Sequence, residues 1–136
     1  GEVDAVLLAA AGLERLELDL SDMVVIRPNP REFVPAPGQG VMAVQTRKED
    51  LELRKKLAKL HNITVGECTN VERQVLSLME GGCSMPLGVY CEKDQLGNYH
   101  VWAAFAESAD APLRRIQRSQ STRAGLAEAV VAALRG

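Results

Sequence analysis

Three strand-like segments bracketed by two amphipathic helices occupy the second half of the chain and leave few folds open to it. Residues 87–92 and 99–107 are strand-like, and Asp94-Gln95-Leu96-Gly97-Asn98 between them reads as a hairpin loop. Residues 113–118 supply a third strand. Upstream, Thr69-Asn70-Val71-Glu72 has capping-box spacing, in which threonine and glutamate satisfy free N–H groups at a helix start. Val71, Val75, Leu78 and Met79 then form an apolar stripe, and Gly81-Gly82 offers the positive-φ freedom that ends a helix. Downstream, Ser121 or Thr122 caps a last helix, where Leu126, Val130 and Leu134 recur at i, i+4, i+8 and are widened by Ala129 and Ala133. The order predicts an α+β fold: a three-stranded antiparallel sheet with one face covered by helices.

The first half reads differently. Residues 3–10 are a nearly continuous apolar run that suits a buried strand of an α/β sheet, or equally a buried helix, and residues 23–26 suit a second short strand. Arg27-Pro28-Asn29-Pro30-Arg31 interrupts regular structure, because proline has no N–H to donate. Pro35-Ala36-Pro37-Gly38-Gln39-Gly40 is a second break, followed by a strand-like stretch at residues 41–46 and an amphipathic helix over residues 52–60. These are α/β-type segments whose expected sheet partners are missing. The division expected is therefore residues 1–62, partial segments of upstream domains, and residues 63–136, a complete C-terminal domain.

Charge narrows the function. Sixteen lysines and arginines against 18 acids give a net charge of -2, with no field that would recruit nucleic acid or an anionic membrane. No apolar run spans a bilayer and no signal peptide opens the chain, so it reads as cytoplasmic. Cys68, Cys83 and Cys91 are odd in number without C-x-x-C spacing, and with only His61 and His100 to join them, neither a disulfide framework nor a metal site is expected. No serine–acid–histidine or cysteine–histidine pattern can be placed around either histidine, so both read as structural or surface residues.

Cys83 is the residue with the most chemical promise. Two glycines before it remove side-chain bulk, and a thiolate there could attack an electrophilic carbon and stay attached; the plain alternative is a helix cap followed by a small buried cysteine. Cys68 precedes the expected helix and Cys91 falls in a strand. Arg15 and Arg73 are either solvated surface residues or planar forks for carboxylates. Gln39 and Gly40 sit in a glycine-rich stretch that lacks the spacing of common phosphate-binding loops and reads by default as a rigid turn.

In order along the chain, Asp4-Ala5-Val6-Leu7-Leu8-Ala9, Ala11-Gly12-Leu13-Glu14-Arg15-Leu16, Pro35-Ala36-Pro37-Gly38-Gln39-Gly40, Val71-Glu72-Arg73 and Glu80-Gly81-Gly82-Cys83-Ser84-Met85-Pro86-Leu87-Gly88 resemble the C-terminal part of the porphobilinogen deaminase family. The resemblance runs from residue 1 to about residue 107. It implies a transferase of tetrapyrrole and haem biosynthesis, in which Cys83 holds a dipyrromethane cofactor through a thioether. By the same resemblance Arg15 and Arg73 bind acidic groups of the cofactor or growing chain, and Gln39 and Gly40 line an interdomain cleft. Four porphobilinogen molecules would be joined with loss of ammonia and released as hydroxymethylbilane.

The family further implies a monomer when full length and a catalytic aspartate upstream of this sequence. The piece alone is therefore expected to be inactive, to lack the cofactor and to self-associate through its unpaired segments. A non-catalytic α+β ligand-binding or regulatory module is the competing reading from a different class, and a free-standing cysteine enzyme a third.

Overall fold

A computed structural model describes residues 3–80, 85–108 and 110–136. The predicted sheet is present: β1 (Leu87–Lys93), β2 (Tyr99–Phe105) and β3 (Arg114–Gln120) lie in the order β1-β2-β3. Both pairings are antiparallel, with Val89 opposite Ala103 and Val101 opposite Arg118. Period-two alternation sends Leu87, Val89, Cys91, Val101 and Ala103 to one buried face. The hairpin closes where Asp94 N–H donates to the Asn98 carbonyl at 2.9 Å, and Gly97 supplies a φ of +87° that a side chain would resist.

Two helices cover that face. The first is α3 (Ile63–Leu78), packed on β1, and the second is α4 (Leu126–Arg135), packed on α3, β2 and β3. Their stripes meet the sheet through Cys68, Val71, Val75 and Met79 on one side and Leu126, Ala127, Val130, Val131 and Leu134 on the other. The described residues thus show an α+β unit built as the sequence predicts.

Several boundaries are corrected. α3 begins six residues before the expected capping box, because the Asn62 side chain accepts the Val65 N–H at 3.1 Å and serves as the cap; Thr69 and Cys68 are inside the helix. Leu78 is largely off the buried stripe and Cys68 is on it. The left-handed residue after α3 is Glu80, at φ 57°, whereas Gly81 and Gly82 lie outside the described residues. α4 starts at Gly125, whose φ of 73° turns the chain without a side-chain cap. Thr122 Oγ1 instead accepts the Ala124 N–H, and Ala127 and Val131 rather than Ala129 and Ala133 complete the stripe.

The first half departs further from expectation. α1 (Ala10–Leu16) and α2 (Leu51–Ala58) form, the latter capped by Asp50 Oδ1 on the Leu53 N–H. Residues 3–9, 23–26 and 41–46 form no strand. Strands need a neighbour to accept and donate their backbone bonds, and none is supplied here. Their apolar side chains stay exposed, among them Val6, Val24 and Met42.

Candidate functional site

Cys83, with Gly81, Gly82 and Ser84, lies outside the described residues. Its chain neighbours are fixed: α3 ends at Leu78, and Met85 packs against the core just before β1. The other two thiols are accounted for. Cys68 and Cys91 are both buried in the core. Burial raises both thiols above the ordinary cysteine range, Cys91 far above it, which keeps them protonated and poorly nucleophilic.

The Pro-Gly-Gln-Gly stretch forms two consecutive turns. Gln39 N–H donates to the Ala36 carbonyl at 3.1 Å, with Pro37 and Gly38 at the centre; Gly38 has a φ of +73°, as the third position of a type II turn requires. Val41 N–H then donates to the Gly38 carbonyl at 3.2 Å around Gly40, at φ +79°. The Gln39 side chain folds back so that Oε1 accepts the Ala36 N–H.

This turn is fastened to the sheet domain by a residue that sequence reasoning assigned to a helix cap. Glu72 is only 7% exposed. Its Oε2 accepts the Gly38 N–H at 2.8 Å and its Oε1 accepts the Cys91 N–H at 2.8 Å. Burial raises its pKa, and the two N–H bonds offset that only in part. The signal was available: Cys68, Val71, Glu72, Val75 and Met79 follow one helical stripe, with a carboxylate where an apolar residue would normally stand.

Beside it, the segment before the turn runs along the free edge of β1. Val89 N–H donates to the Pro35 carbonyl at 2.8 Å, so the edge donors of Val89 and Cys91 are both satisfied. A side chain at Gly88 would place Cβ 2.6 Å from the Val34 carbonyl oxygen. Farther along, Arg31 forms a forked pair with Glu92, with Nη2 2.5 Å from Oε1, and its guanidinium lies 5.0 Å from the centre of the Trp102 ring.

Arg73 follows Glu72 on α3 and is exposed, and Gln39 and Gly40 belong to the turn that Glu72 holds. Arg15 does not join them. It is exposed in the last turn of α1, which packs extensively against no other element. Neither arginine is ion-paired with another described residue, which leaves both forks available for an anionic ligand. An open cavity of about 790 Å³ near α1 is lined largely by apolar side chains such as Val6, Leu13 and Ile26, and does not suit a polycarboxylate.

One reading of His100 is corrected. Its Nε2 lies 3.0 Å from Asp94 Oδ2 and its Nδ1 2.8 Å from Ser119 Oγ, a serine–histidine–acid contact created by the cross-strand register of β2 and β3. The Asp94 carboxylate also accepts two N–H bonds from Asn98, and with His100 these hold its pKa far below the usual range. The network ties the hairpin loop to β3. His61 lies against Gly66, and the described residues contain no cluster of potential metal ligands and no helix long and apolar enough to cross a membrane.

Comparison with known proteins gives consistent matches. Residues 1–55 match a family model described as porphobilinogen deaminase, dipyromethane cofactor binding domain; the match ends before Cys83. Porphobilinogen deaminase of Staphylococcus carnosus is 42% identical over 96 residues, covering 71% of this chain and 31% of the relative. That of Fusobacterium nucleatum is 37% identical over 91 residues, covering 67% and 30%. That of Chloroherpeton thalassium is 36% identical over 121 residues, covering 89% and 37%. The chain thus spans about a third of the length of the relatives it matches.

Proposed function

The chain belongs to the porphobilinogen deaminase family, and from that premise we propose that it is the C-terminal, cofactor-tethering part of an enzyme that joins four porphobilinogen molecules into hydroxymethylbilane. The observation that carries the assignment of the tether is the fate of the other thiols. Cys68 and Cys91 are buried and their thiols are held protonated, which supports the reading that Cys83, the thiol the family resemblance points to, is the attachment point.

The donors are of the kind a dipyrromethane needs: one thiol for a thioether, and two exposed guanidiniums with no ion pair among the described residues for its carboxylates. Attachment exchanges bonds cleanly. The Cys83 sulfur bonds to the aminomethyl carbon of a pyrrole, the carbon–nitrogen bond breaks, and nitrogen leaves as ammonia with the thiol proton. When bound, the cofactor supplies the free pyrrole carbon from which the chain grows.

Each later addition would form a carbon–carbon bond at that carbon with loss of ammonia, and hydrolysis would release the completed chain while Cys83 keeps the primer. Each pyrrole brings two more carboxylates, whose mutual repulsion grows with chain length. Arg15 and Arg73 offset it with forked, permanently charged donors, and Gln39 and Gly40 contribute the wall of the cleft. The remainder of the full-length protein supplies the proton-transferring acid, so this piece alone does not turn over substrate.

Replacing Arg15 or Arg73 by leucine in the full-length enzyme tests the reading. Hydrogen bonds to a charged group contribute about 1.5–3 kcal/mol, so cofactor assembly or chain elongation is expected to slow by about ten- to a hundredfold at about 1.4 kcal/mol per decade. Thermal unfolding should change little, since both side chains are exposed. Normal turnover with full cofactor loading in both variants would make them surface residues.

A further inference from the structure

We propose that Glu72 is a positioning residue for this reaction: its carboxylate latches the Gly38–Gly40 turn to α3 and to the edge of β1, and so sets where Gln39, Gly40 and Arg73 stand relative to one another. The inference rests on the function proposed above for those three residues, but its geometry does not. A carboxylate costs free energy to bury, and both oxygens of this one are spent on backbone N–H groups from two separate segments, Gly38 and Cys91. Gly38 and Cys91 are 53 residues apart in sequence and have no backbone bond to each other. A cap or a surface acid would make neither contact.

The latch also has a defined span. Gly38 stands against α3 close to Thr69, where an added Cβ would meet the threonine methyl at 3.7 Å, one helical turn before Glu72. The turn therefore rests on α3 between these two residues. Arg73 projects from the next position of the same helix and is exposed. Shortening the side chain by one methylene, or replacing one oxygen by an NH₂ donor, leaves one of the two N–H groups without an acceptor.

Glu72→Gln in the full-length enzyme is the test, read in two ways. The first is amide hydrogen exchange, which needs no activity: the Gly38 amide should exchange at least about tenfold faster, as loss of a charge-assisted bond implies, while the Val101 amide in the middle strand keeps its protection. The second is the distribution of pyrrole chain lengths attached to the protein, read by intact mass. A displaced turn should raise partly extended species while cofactor loading remains normal, whereas a mere loss of folded protein would lower the yield of every species equally. If Glu72→Gln does not fold, Gly38→Ala is read instead, because it strains the turn at φ +73° without touching the buried carboxylate. Unchanged Gly38 exchange, or faster exchange with an unchanged chain-length distribution, overturns the proposal. A wild-type enzyme that attaches no pyrroles at all sinks the functional reading and, with it, the catalytic part of this inference, while Gly38 exchange still tests the latch.

Discussion

Glycine 88 is where a single side chain decides how the two halves of the chain meet. Its hydrogen lets the Val34 carbonyl approach the start of β1, and the adjacent Val89 N–H bonds to Pro35. Gly88→Ala would put Cβ 2.6 Å from that oxygen, a distance the backbone cannot accommodate without moving. Overpacking of this kind costs about 1–3 kcal/mol, so a lowered denaturant midpoint and faster exchange at Val89 are expected; wild-type values for both would show that the segment yields at no cost. At this scale the sequence told part of the story. It singled out Cys83, Arg15, Arg73, Gln39 and Gly40 through a family resemblance, but gave Glu72 to a helix cap, because a capping box and a buried stripe overlap at that residue. Ser119 opposite His100 was equally hidden, since cross-strand neighbours are set by register and not by local spacing.

Among the elements, those whose stability comes from their own neighbours were legible. The β1–β2 hairpin, β3 and α4 follow from alternation, a glycine-bearing loop and an i, i+4 stripe, and each stands within a few residues of its predicted place. Residues 3–9, 23–26 and 41–46 carry strand-like composition, yet a strand is a relation between segments and their partners are not here. Val6, Val24 and Met42 are 72%, 92% and 90% exposed, and large apolar side chains left in water favour association. Two copies of these 136 residues are expected to pair or exchange these segments into a dimer. Light scattering over a range of concentrations checks this, with a truncation that removes residues 1–28 as the control. That truncation spares Arg31, Pro35 and Gly38, which cover the β1 edge, so any loss of association reports on the chain before residue 29, with its two apolar segments, and not on an uncovered sheet edge. A monomer at every concentration would refute it.

At the scale of the whole molecule, the described residues form an α+β unit of α3, β1–β3 and α4, with an upstream strap fastened along its edge by Arg31, Pro35 and Gly38, and with α1 and α2 outside its core. Residues 31–38 precede residue 63 in sequence yet pack along the edge of the sheet. The named cofactor-binding model covers residues 1–55, and Cys83 lies beyond it, so cofactor contacts and the cofactor tether are proposed to come from different stretches of one chain. The central claim is the tether. Peptide mapping by mass spectrometry of the intact, active full-length enzyme locates it directly: the account predicts the dipyrromethane mass on the peptide containing Cys83, with Cys68 and Cys91 recovered as free thiols, whereas an active enzyme carrying the adduct on Cys68 or Cys91 would contradict it.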